Sequence, residues 1–308
     1  MTTMRRDFEG IDGRLAKRVW LSQRSSRSDP ILKGKTESTL ELHRSLVRRA
    51  QMLALPLALT IALSSQPVSG QSASSLTVFA AASLTDSFTE IGKAFDAKTG
   101  GKTTLQFAGS QVLRTQLENG AKADVYASAS VGQFDPLVKS GSVVSAGIFT
   151  KNRLVVIVPK KGVGNVKTLA DLAKAGIKLV IADKTVPVGA HTRQVLKNLE
   201  QVKAYGANYA ANVLKNVISE ETNVRQVALK VQLGEADTGV VYITDVTPGL
   251  APTIIQIAIP TRFNVVASNP IGTLKAASNP DAARAFVDFV RGSAGQAILS
   301  KWGFLPTR

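Results

Sequence analysis

The clearest candidate for chemistry in this sequence is a serine in a turn of small residues, Ala80-Ala81-Ala82-Ser83-Leu84. A short apolar stretch, Leu76 to Ala80, predicts a buried strand before the turn, and apolar residues at helical spacing follow it. Ser83 stands at a predicted helix N-cap, and Asp86 three residues later completes a common helix-start pattern. Because a helix N-terminus presents unpaired N–H donors and partial positive charge, the turn is a natural seat for an anion. The alternative is that Ser83 only caps the helix.

Three further turns and one tyrosine are placed in a similar way, near the ends of predicted strands. Ser110 follows Phe107-Ala108-Gly109 in a second turn of small residues. Val188 and Val224 carry no polar side chain, so their contribution would be a backbone N–H at a helix start. Tyr242 ends a predicted strand, from which its O–H could reach across a cleft. Ligands of parallel α/β sheets bind beyond such strand ends.

Catalysis by these serines has little support in the sequence. A serine hydrolase needs a general base, and the only histidine after His43 is His191. Neither serine lies in a G-x-S-x-G elbow, and the sequence has no Walker loop or G-x-G-x-x-G fingerprint. The carboxylates near strand ends are expected to cap helices or turns rather than to bind a metal; they are Asp86, Asp124, Asp183 and Asp245.

The elements that must position these residues alternate between strand and helix after residue 75. Strands are predicted at 76–80, 102–107, 123–127, 153–159, 178–182, 237–243, 254–259 and 264–267. Helices are predicted from Leu84, at 111–117, 135–140, 169–175, from residue 189 to 199, at 224–233, 282–290 and 294–301. This alternation predicts an α/β fold with parallel sheets covered by helices on both faces.

Composition narrows the class of protein further. The 308 residues contain no cysteine, which excludes disulfides, thiolate metal sites and a cysteine nucleophile. The two histidines are far apart in sequence and do not suggest a metal site. The net charge is +16, but the lysines are scattered and few aromatic residues accompany them, so a nucleic-acid surface is not indicated. We interpret the basic excess as a solvated surface that attracts small anions.

The N-terminal region has the pattern of a targeting segment. Arg48-Arg49 precedes an apolar run from Met52 to Leu63, and a stretch of small and polar residues follows. Residues 47–73 are therefore predicted to be a signal peptide, which implies export to the periplasm. A leader normally begins at the chain start, so residues 1–46 are interpreted as a disordered extension or an over-extended gene model, with translation starting at Val47.

Several short motifs, taken in order, resemble those of the periplasmic molybdate-binding proteins of ABC transporters. The resemblance spans residues 76 to 308. Its motifs are LTVFAAASL (76–84), FAGS (107–110), Ala123-Asp124, RLVVIVPK (153–160), VPVG (186–189), NVR (223–225), GVVYITD (239–245) and KWGF (301–304). The chain departs from the family pattern at Gly109, where a serine is common, and at Ser130, where an acid is frequent. The first departure is expected to loosen its turn, and the second puts an ion pair from that acid in doubt.

The resemblance implies a two-lobed periplasmic-binding-protein fold of type II, with an oxyanion bound between the lobes. Each lobe would be a mainly parallel sheet flanked by helices, and two crossovers would join them. Lobe 1 would comprise residues 76–155 plus 261–308, and lobe 2 residues 156–260. The implied ligand donors are the hydroxyls of Ser83, Ser110 and Tyr242 and the backbone N–H groups of Val188 and Val224.

The function implied by the resemblance is capture of molybdate, and also tungstate, for import. The chain would be a monomeric binding protein and not an enzyme. It would have no cofactor and no direct protein ligand to the metal, and an inner-membrane permease with its ATPase would be its partners. Two alternatives stay open at this point: a receptor for another oxyanion such as sulfate, and a secreted serine hydrolase that uses Ser83.

Overall fold

A computed structural model describes residues 75–161 and 166–307 of the chain. The predicted extension, residues 1–46, and the predicted signal peptide, residues 47–73, lie outside the described residues. Within the described ranges, no helix is both long enough and apolar enough to cross a membrane.

The described chain is an α/β structure in which strands and helices alternate, as the sequence predicts. The strands are β1 (Ser75–Ala81), β2 (Lys102–Ala108), β3 (Val125–Ala127), β4 (Val143–Pro159), β5 (Leu179–Ala182), β6 (Val217–Glu221), β7 (Thr238–Tyr242), β8 (Ile254–Ala258) and β9 (Val266–Leu274). The α-helices are α1 (Thr85–Thr99), α2 (Ser110–Glu118), α3 (Val131–Lys139), α4 (Pro187–Glu200), α5 (Tyr209–Lys215), α6 (Val224–Gln232), α7 (Pro280–Arg291) and α8 (Ser293–Lys301).

The strands pair in the order β2-β1-β3-β9-β4-β7-β5-β6, with β8 also paired to β4. The pairs toward both ends are parallel, namely β1 with β2 and β3, and β5 with β6 and β7. Each of these parallel pairs needs a crossover connection, which the intervening helices supply. Every pair that involves β4 or β9 is antiparallel, so the expectation of parallel sheets holds only for the outer parts.

The long strand β4 links the two halves of this arrangement. Its first part pairs with β9 as far as Arg153, opposite Val266, and from Leu154, opposite Tyr242, it pairs with β7. The chain crosses back between β8 and β9, over residues 259–265. These two crossings lie near residues 155 and 260, where the lobe boundaries are predicted.

Some elements differ from the sequence-based expectation. The pattern located only the second part of β4 and missed its first part, where β-bulges interrupt the pairing with β9 and so break the alternation of side chains. Helix α5 and strand β6 were also missed. The helix predicted at 169–175 is a 3₁₀ helix, Leu169–Ala173, and α3 begins at Val131 rather than at residue 135.

The core of the first half forms between the sheet and its helices. Phe88 and Phe95 of α1 pack edge-to-face against Phe286 of α7, with ring centroids 6.1 and 5.2 Å apart. Asp124, which is buried, accepts hydrogen bonds from the backbone N–H groups of Thr77 and Ser278. Its carboxylate therefore joins β1 to the segment before α7, and the cap of α7 itself is Asn279, which accepts from the N–H of Ala282.

Candidate functional site

One small cavity contains all five residues predicted to bind an anion. It is lined by Ala81, Ala82, Ser83, Gly109, Ser110, Ala129, Val186, Pro187, Val188, Asn223, Val224 and Tyr242. None of these side chains is charged. The cavity has a volume of only about 10 Å³ for the centre of a water molecule. This is close to the smallest space that holds one ordered water. A ligand of this cavity therefore has few heavy atoms.

The cavity lies where the N-termini of three helices meet. Helix α2 begins at Ser110, α4 begins at Pro187 and α6 begins at Val224. The N–H groups of the first turn of a helix have no partner within the helix, and the macrodipole places partial positive charge there. Three such termini create a favourable site for an anion without any cationic side chain.

Ser83 contributes a hydroxyl with no partner. The expectation that Ser83 caps the following helix is wrong: Ala82–Leu84 form a 3₁₀ turn, and neither this turn nor α1 has a side-chain cap. Ser83 is 3% exposed, and its Oγ is buried with no hydrogen-bond partner among the described residues. Because burying an unpaired hydroxyl costs free energy, this atom is the clearest sign that a polar ligand belongs in the cavity.

Ser110 is held in an orientation that leaves its proton available. Its Oγ accepts a hydrogen bond of 3.0 Å from the backbone N–H of Ala129. A serine hydroxyl has one proton and two acceptor sites, so Ser110 can still donate into the cavity. Tyr126 donates to the backbone carbonyl of Ser110 at 2.9 Å, and this contact fixes the start of α2.

Val188 and Val224 present backbone rather than side-chain donors. Val188 is the second residue of α4, after Pro187, and Val224 is the first residue of α6. The capping side chain of Asn223 accepts from the N–H of Gln226 at 3.1 Å, and therefore leaves the N–H of Val224 to another acceptor. At Gly189 an added Cβ would lie 2.1 Å from the carbonyl oxygen of Asp183, so only glycine allows α4 to start this close to β5.

Tyr242 reaches the cavity from the end of β7 and is 1% exposed. Burial raises the pKa of its phenol well above the ordinary value, and the nearby Asp245 carboxylate raises it further. The phenol therefore keeps its proton and can act as a donor. Its Oη lies 3.0 Å from Nδ1 of His191, a contact that the sequence did not reveal because the two residues are far apart in the chain.

The geometry does not provide what a serine hydrolase needs. His191 contacts Tyr242 rather than a serine, and the buried Oγ of Ser83 has no hydrogen-bond partner in the described ranges. A nucleophilic serine requires a base within hydrogen-bond reach. Asp183 accepts from Thr185 and thus caps a turn, as predicted. The described residues contain no group of three or more His, Cys, Asp or Glu side chains that could hold a metal ion.

Side-chain contacts join the two sides of the cavity. Gln111 of α2 donates to the carbonyl oxygen of Thr222 at 2.8 Å, and Gln133 of α3 donates to that of Thr185 at 2.7 Å. An added Cβ at Gly109 would lie 2.4 Å from the Thr222 carbonyl oxygen. The glycine therefore permits a close backbone approach, and the expectation that it loosens its turn stays a prediction.

Arg225 forms an ion-pair network beside the cavity. Its guanidinium lies 2.5 Å from Oδ2 of Asp86, in the first turn of α1, and 3.1 Å from Oδ1 of Asp245, which is fully buried. Asp86, expected to serve in a helix-start pattern, thus pairs across the cavity with Arg225. Burial raises the pKa of Asp245 from 3.8 to about 6, although the Arg225 charge acts in the opposite direction. The positive charge of Arg225 therefore lies near the cavity, but the carboxylates of Asp86 and Asp245 neutralise it.

Together, the donors on both sides and the small cavity between them are typical of a protein that encloses a small solute. Comparison with known proteins agrees: residues 76–305 match the family of bacterial extracellular solute-binding proteins, and this chain belongs to that family. It is therefore a solute-binding protein and not an enzyme. Its fold is the two-lobed type II periplasmic-binding-protein fold.

Particular relatives narrow the comparison. The chain is 36% identical over 236 residues to a Mycobacterium tuberculosis protein named molybdate-binding protein ModA, covering 76% of this chain and 85% of the relative. A substrate-binding domain of a putative molybdenum ABC transporter from Clostridium difficile has a TM-score of 0.57 and 26% identity, covering 76% and 99% of the two chains. The sulfate-binding protein SubI of M. tuberculosis has a TM-score of 0.68 with 17% identity, covering 76% and 87%, and shows the fold alone.

The Arg225 network leads to a prediction about stability. Because the pKa of Asp245 is higher in the folded protein than its ordinary value of 3.8, the contribution of Asp245 to stability falls as the pH rises from about 4 to about 6 and then levels off. Arg225→Met should raise the pKa of Asp245 further. In this variant the contribution of Asp245 to stability should therefore continue to fall above pH 6. We expect the variant to match the parent within about 1 kcal/mol at pH 5 and to be roughly 2–4 kcal/mol less stable at pH 8.

The measurement is denaturant unfolding of the ligand-free protein at both pH values. Asp86→Asn is the matched control, because it removes only the partly exposed partner and leaves the pair with Asp245. This control should change stability by less than about 1 kcal/mol at either pH. A loss in Arg225→Met that is the same at pH 5 and pH 8 would contradict the assigned role of Asp245.

Proposed function

We propose that this protein captures molybdate, and also tungstate, for import by an ABC transporter. The oxyanion would accept hydrogen bonds from the hydroxyls of Ser83, Ser110 and Tyr242 and from the backbone N–H groups of Val188 and Val224. No side chain would bind the metal directly, and no cofactor is needed. The observation that carries the proposal is the convergence of these five donors on one small cavity that contains an unpartnered buried hydroxyl.

The chemistry of the cavity favours a fully deprotonated tetrahedral anion. Removing a dianion from water is costly, and hydrogen bonds to a charged acceptor are the strongest available compensation. Five proposed donors on residues that line one cavity would supply that compensation, while the uncharged lining supplies no acceptor carboxylate. Molybdate is favoured over other oxyanions because the relative that is 36% identical is named for molybdate. Sulfate is the alternative, since it has the same shape and charge.

The donors would come from two lobes that close on the ligand. In the proposed division, lobe 1 (residues 76–155 plus 261–308) carries Ser83 and Ser110, and lobe 2 (residues 156–260) carries the other three donors. Closure by bending at the two crossovers would bury the anion. The close approach of Gly109 to Thr222 and the Arg225–Asp86 ion pair support this account, because both join residues of different lobes.

The setting of the protein follows from the same proposal. The predicted signal peptide at residues 47–73 would deliver the chain to the periplasm. There it would act as a monomer and transfer the oxyanion to an inner-membrane permease driven by its ATPase. Membership of the extracellular solute-binding family supports an extracytoplasmic location, and the partners are those that binding proteins of ABC transporters require.

Ligand identity and donor roles can be tested together by calorimetric titration with molybdate, tungstate and sulfate. Ser83→Ala and Ser110→Ala should each weaken molybdate binding by about 1.5–3 kcal/mol, the usual range for a hydrogen bond to a charged group. This corresponds to roughly a tenfold or larger increase in Kd. Val188→Ala is the matched control: its N–H remains, so affinity should be nearly unchanged, even if the lost buried methyl groups reduce stability.

The same titration separates the competing accounts. Tight binding of molybdate and tungstate with weak binding of sulfate supports the proposal. Preference for sulfate would assign the site to another oxyanion, and turnover of an ester that disappears with Ser83→Ala would favour a hydrolase. An effect of Val188→Ala on affinity as large as that of Ser83→Ala would refute the proposed set of donors.

A second prediction concerns closure. An added methyl group at Gly109 would meet the Thr222 backbone 2.4 Å away, and such overpacking costs about 1–3 kcal/mol. Gly109→Ala should therefore weaken molybdate binding by roughly fivefold to a hundredfold, because the cost is imposed on the closed form. Gly132→Ala is the control, since an added Cβ there meets nothing within 4 Å. Equal affinities for the two variants would remove the support for lobe closure at this contact.

A third prediction concerns the anions that are refused. Hydrogen phosphate and hydrogen arsenate carry a proton near neutral pH, and the proposed donors offer no acceptor for it unless one of them gives up its own donation. An unsatisfied buried polar group costs roughly 1–3 kcal/mol, so both should bind at least about tenfold more weakly than molybdate. Competition titrations at pH 7.5 measure this. Arsenate binding as tight as that of molybdate would mean that a carboxylate, with Asp86 the nearest suspect, lines the site.

A further inference from the structure

His191 occupies a position next to the proposed site that the donor set does not use. It lies three residues after Val188 on α4, and therefore on the same face of the helix. Its Nδ1 is 3.0 Å from Oη of Tyr242, and the two rings meet edge-on with centroids 6.1 Å apart. His191 does not itself line the cavity. The contact that connects it to the cavity is the one with Tyr242.

The contact has two forms that differ in the direction of one hydrogen bond. Tyr242 has a single O–H proton. If Nδ1 carries no proton, the phenol donates to Nδ1, and its proton is not available to a ligand. If Nδ1 carries a proton, it donates to Oη, and the phenol proton is free to point into the cavity. A neutral imidazole carries its proton on one nitrogen only, and the partner of the other nitrogen decides which.

The surroundings allow either form. Burial lowers the pKa of His191 to about 4, so the ring is neutral near pH 7 and its tautomer is the relevant variable. Nε2 makes no hydrogen bond to the described part of the chain, and the side chain is only partly buried, so water can serve Nε2 in either state. On the other side of Tyr242, Asp245 accepts from the backbone N–H of Tyr242 at 3.1 Å and pairs with Arg225, which leaves the phenol to His191.

We propose that His191 is a positioning residue that makes Tyr242 a donor to the bound oxyanion by carrying its own proton on Nδ1. The bound anion selects the Nδ1–H tautomer because only that tautomer frees the phenol proton. This inference rests on the proposed function. It gives α4 two roles in one site: the N–H of Val188 contacts the ligand, and the ring of His191 orients the hydroxyl of Tyr242 on β7.

Nitrogen NMR of the full chain with ¹⁵N-labelled histidine reports the tautomer directly. The chain has two histidines, His43 and His191, and a His43→Gln sample assigns the signals. With molybdate bound, Nδ1 of His191 should have the shift and the proton coupling of a protonated nitrogen, and Nε2 those of an unprotonated one. An unprotonated Nδ1 in the molybdate complex overturns the inference.

A double-mutant cycle tests whether His191 acts through Tyr242. His191→Phe keeps a ring but removes the donor, and should weaken molybdate binding about three- to tenfold. His191→Asn places an amide N–H at the same number of bonds from Cβ as Nδ1, and should restore most of the affinity. In a Tyr242→Phe background, His191→Phe should change the affinity by less than twofold.

The outcomes separate this inference from the proposed function. A loss from His191→Phe that is as large in the Tyr242→Phe background as in the parent would mean that His191 does not act through Tyr242, and would overturn the inference alone. So would an unchanged affinity in His191→Phe. A parent chain that binds neither molybdate nor another oxyanion would overturn the proposed function, and this inference with it.

Discussion

The constraint on which this structure depends is the need to satisfy a charged ligand inside protein without an opposite charge beside it. A cationic side chain in the cavity would bind many anions and would leave a buried charge unpaired in the empty site. Backbone N–H groups at helix starts carry only partial charge and are fixed by the helices themselves. The placement of α2, α4 and α6, each beginning at the cavity, follows from this requirement.

The same constraint explains the contacts around the cavity. Donors that come from two halves of the chain can be brought together only if the halves approach closely. Strand β4 runs from one half into the other, and the Arg225–Asp86 ion pair and the Gln111–Thr222 hydrogen bond connect the halves at the cavity. Arg225 contributes to this connection without entering the cavity, because Asp86 and Asp245 neutralise its charge.

Much of the candidate site could be predicted from the sequence because its proposed donors lie in short local motifs. The strand before Ser83 and the helices after Ser110, Pro187 and Asn223 have clear periodicity, and a strand end followed by a helix start defines the position of a donor. The role of Ser83 as a cap could not be judged from sequence, since a 3₁₀ turn precedes α1 and places Leu84, not Ser83, at the N-cap of the helix. A capping pattern records residue types, not the turn geometry.

Other features depend on contacts between distant segments and had no local signal. The Tyr242–His191 hydrogen bond joins residues 51 positions apart. The first part of β4 has bulged pairing with β9, so its apolar residues do not alternate regularly. Gly109 departs from the family pattern, and the residue that its backbone approaches, Thr222, lies on the other side of the cavity. Such features become visible only when the chain is folded.

The measurement that tests the central claim most directly is a crystal structure of the protein with molybdate, including an anomalous difference map at the molybdenum edge. The account predicts one peak in the cavity, with the oxygens of the anion within about 2.5–3.2 Å of the hydroxyls of Ser83, Ser110 and Tyr242 and the backbone nitrogens of Val188 and Val224. A peak outside this cavity, or a carboxylate in contact with the anion, would contradict it.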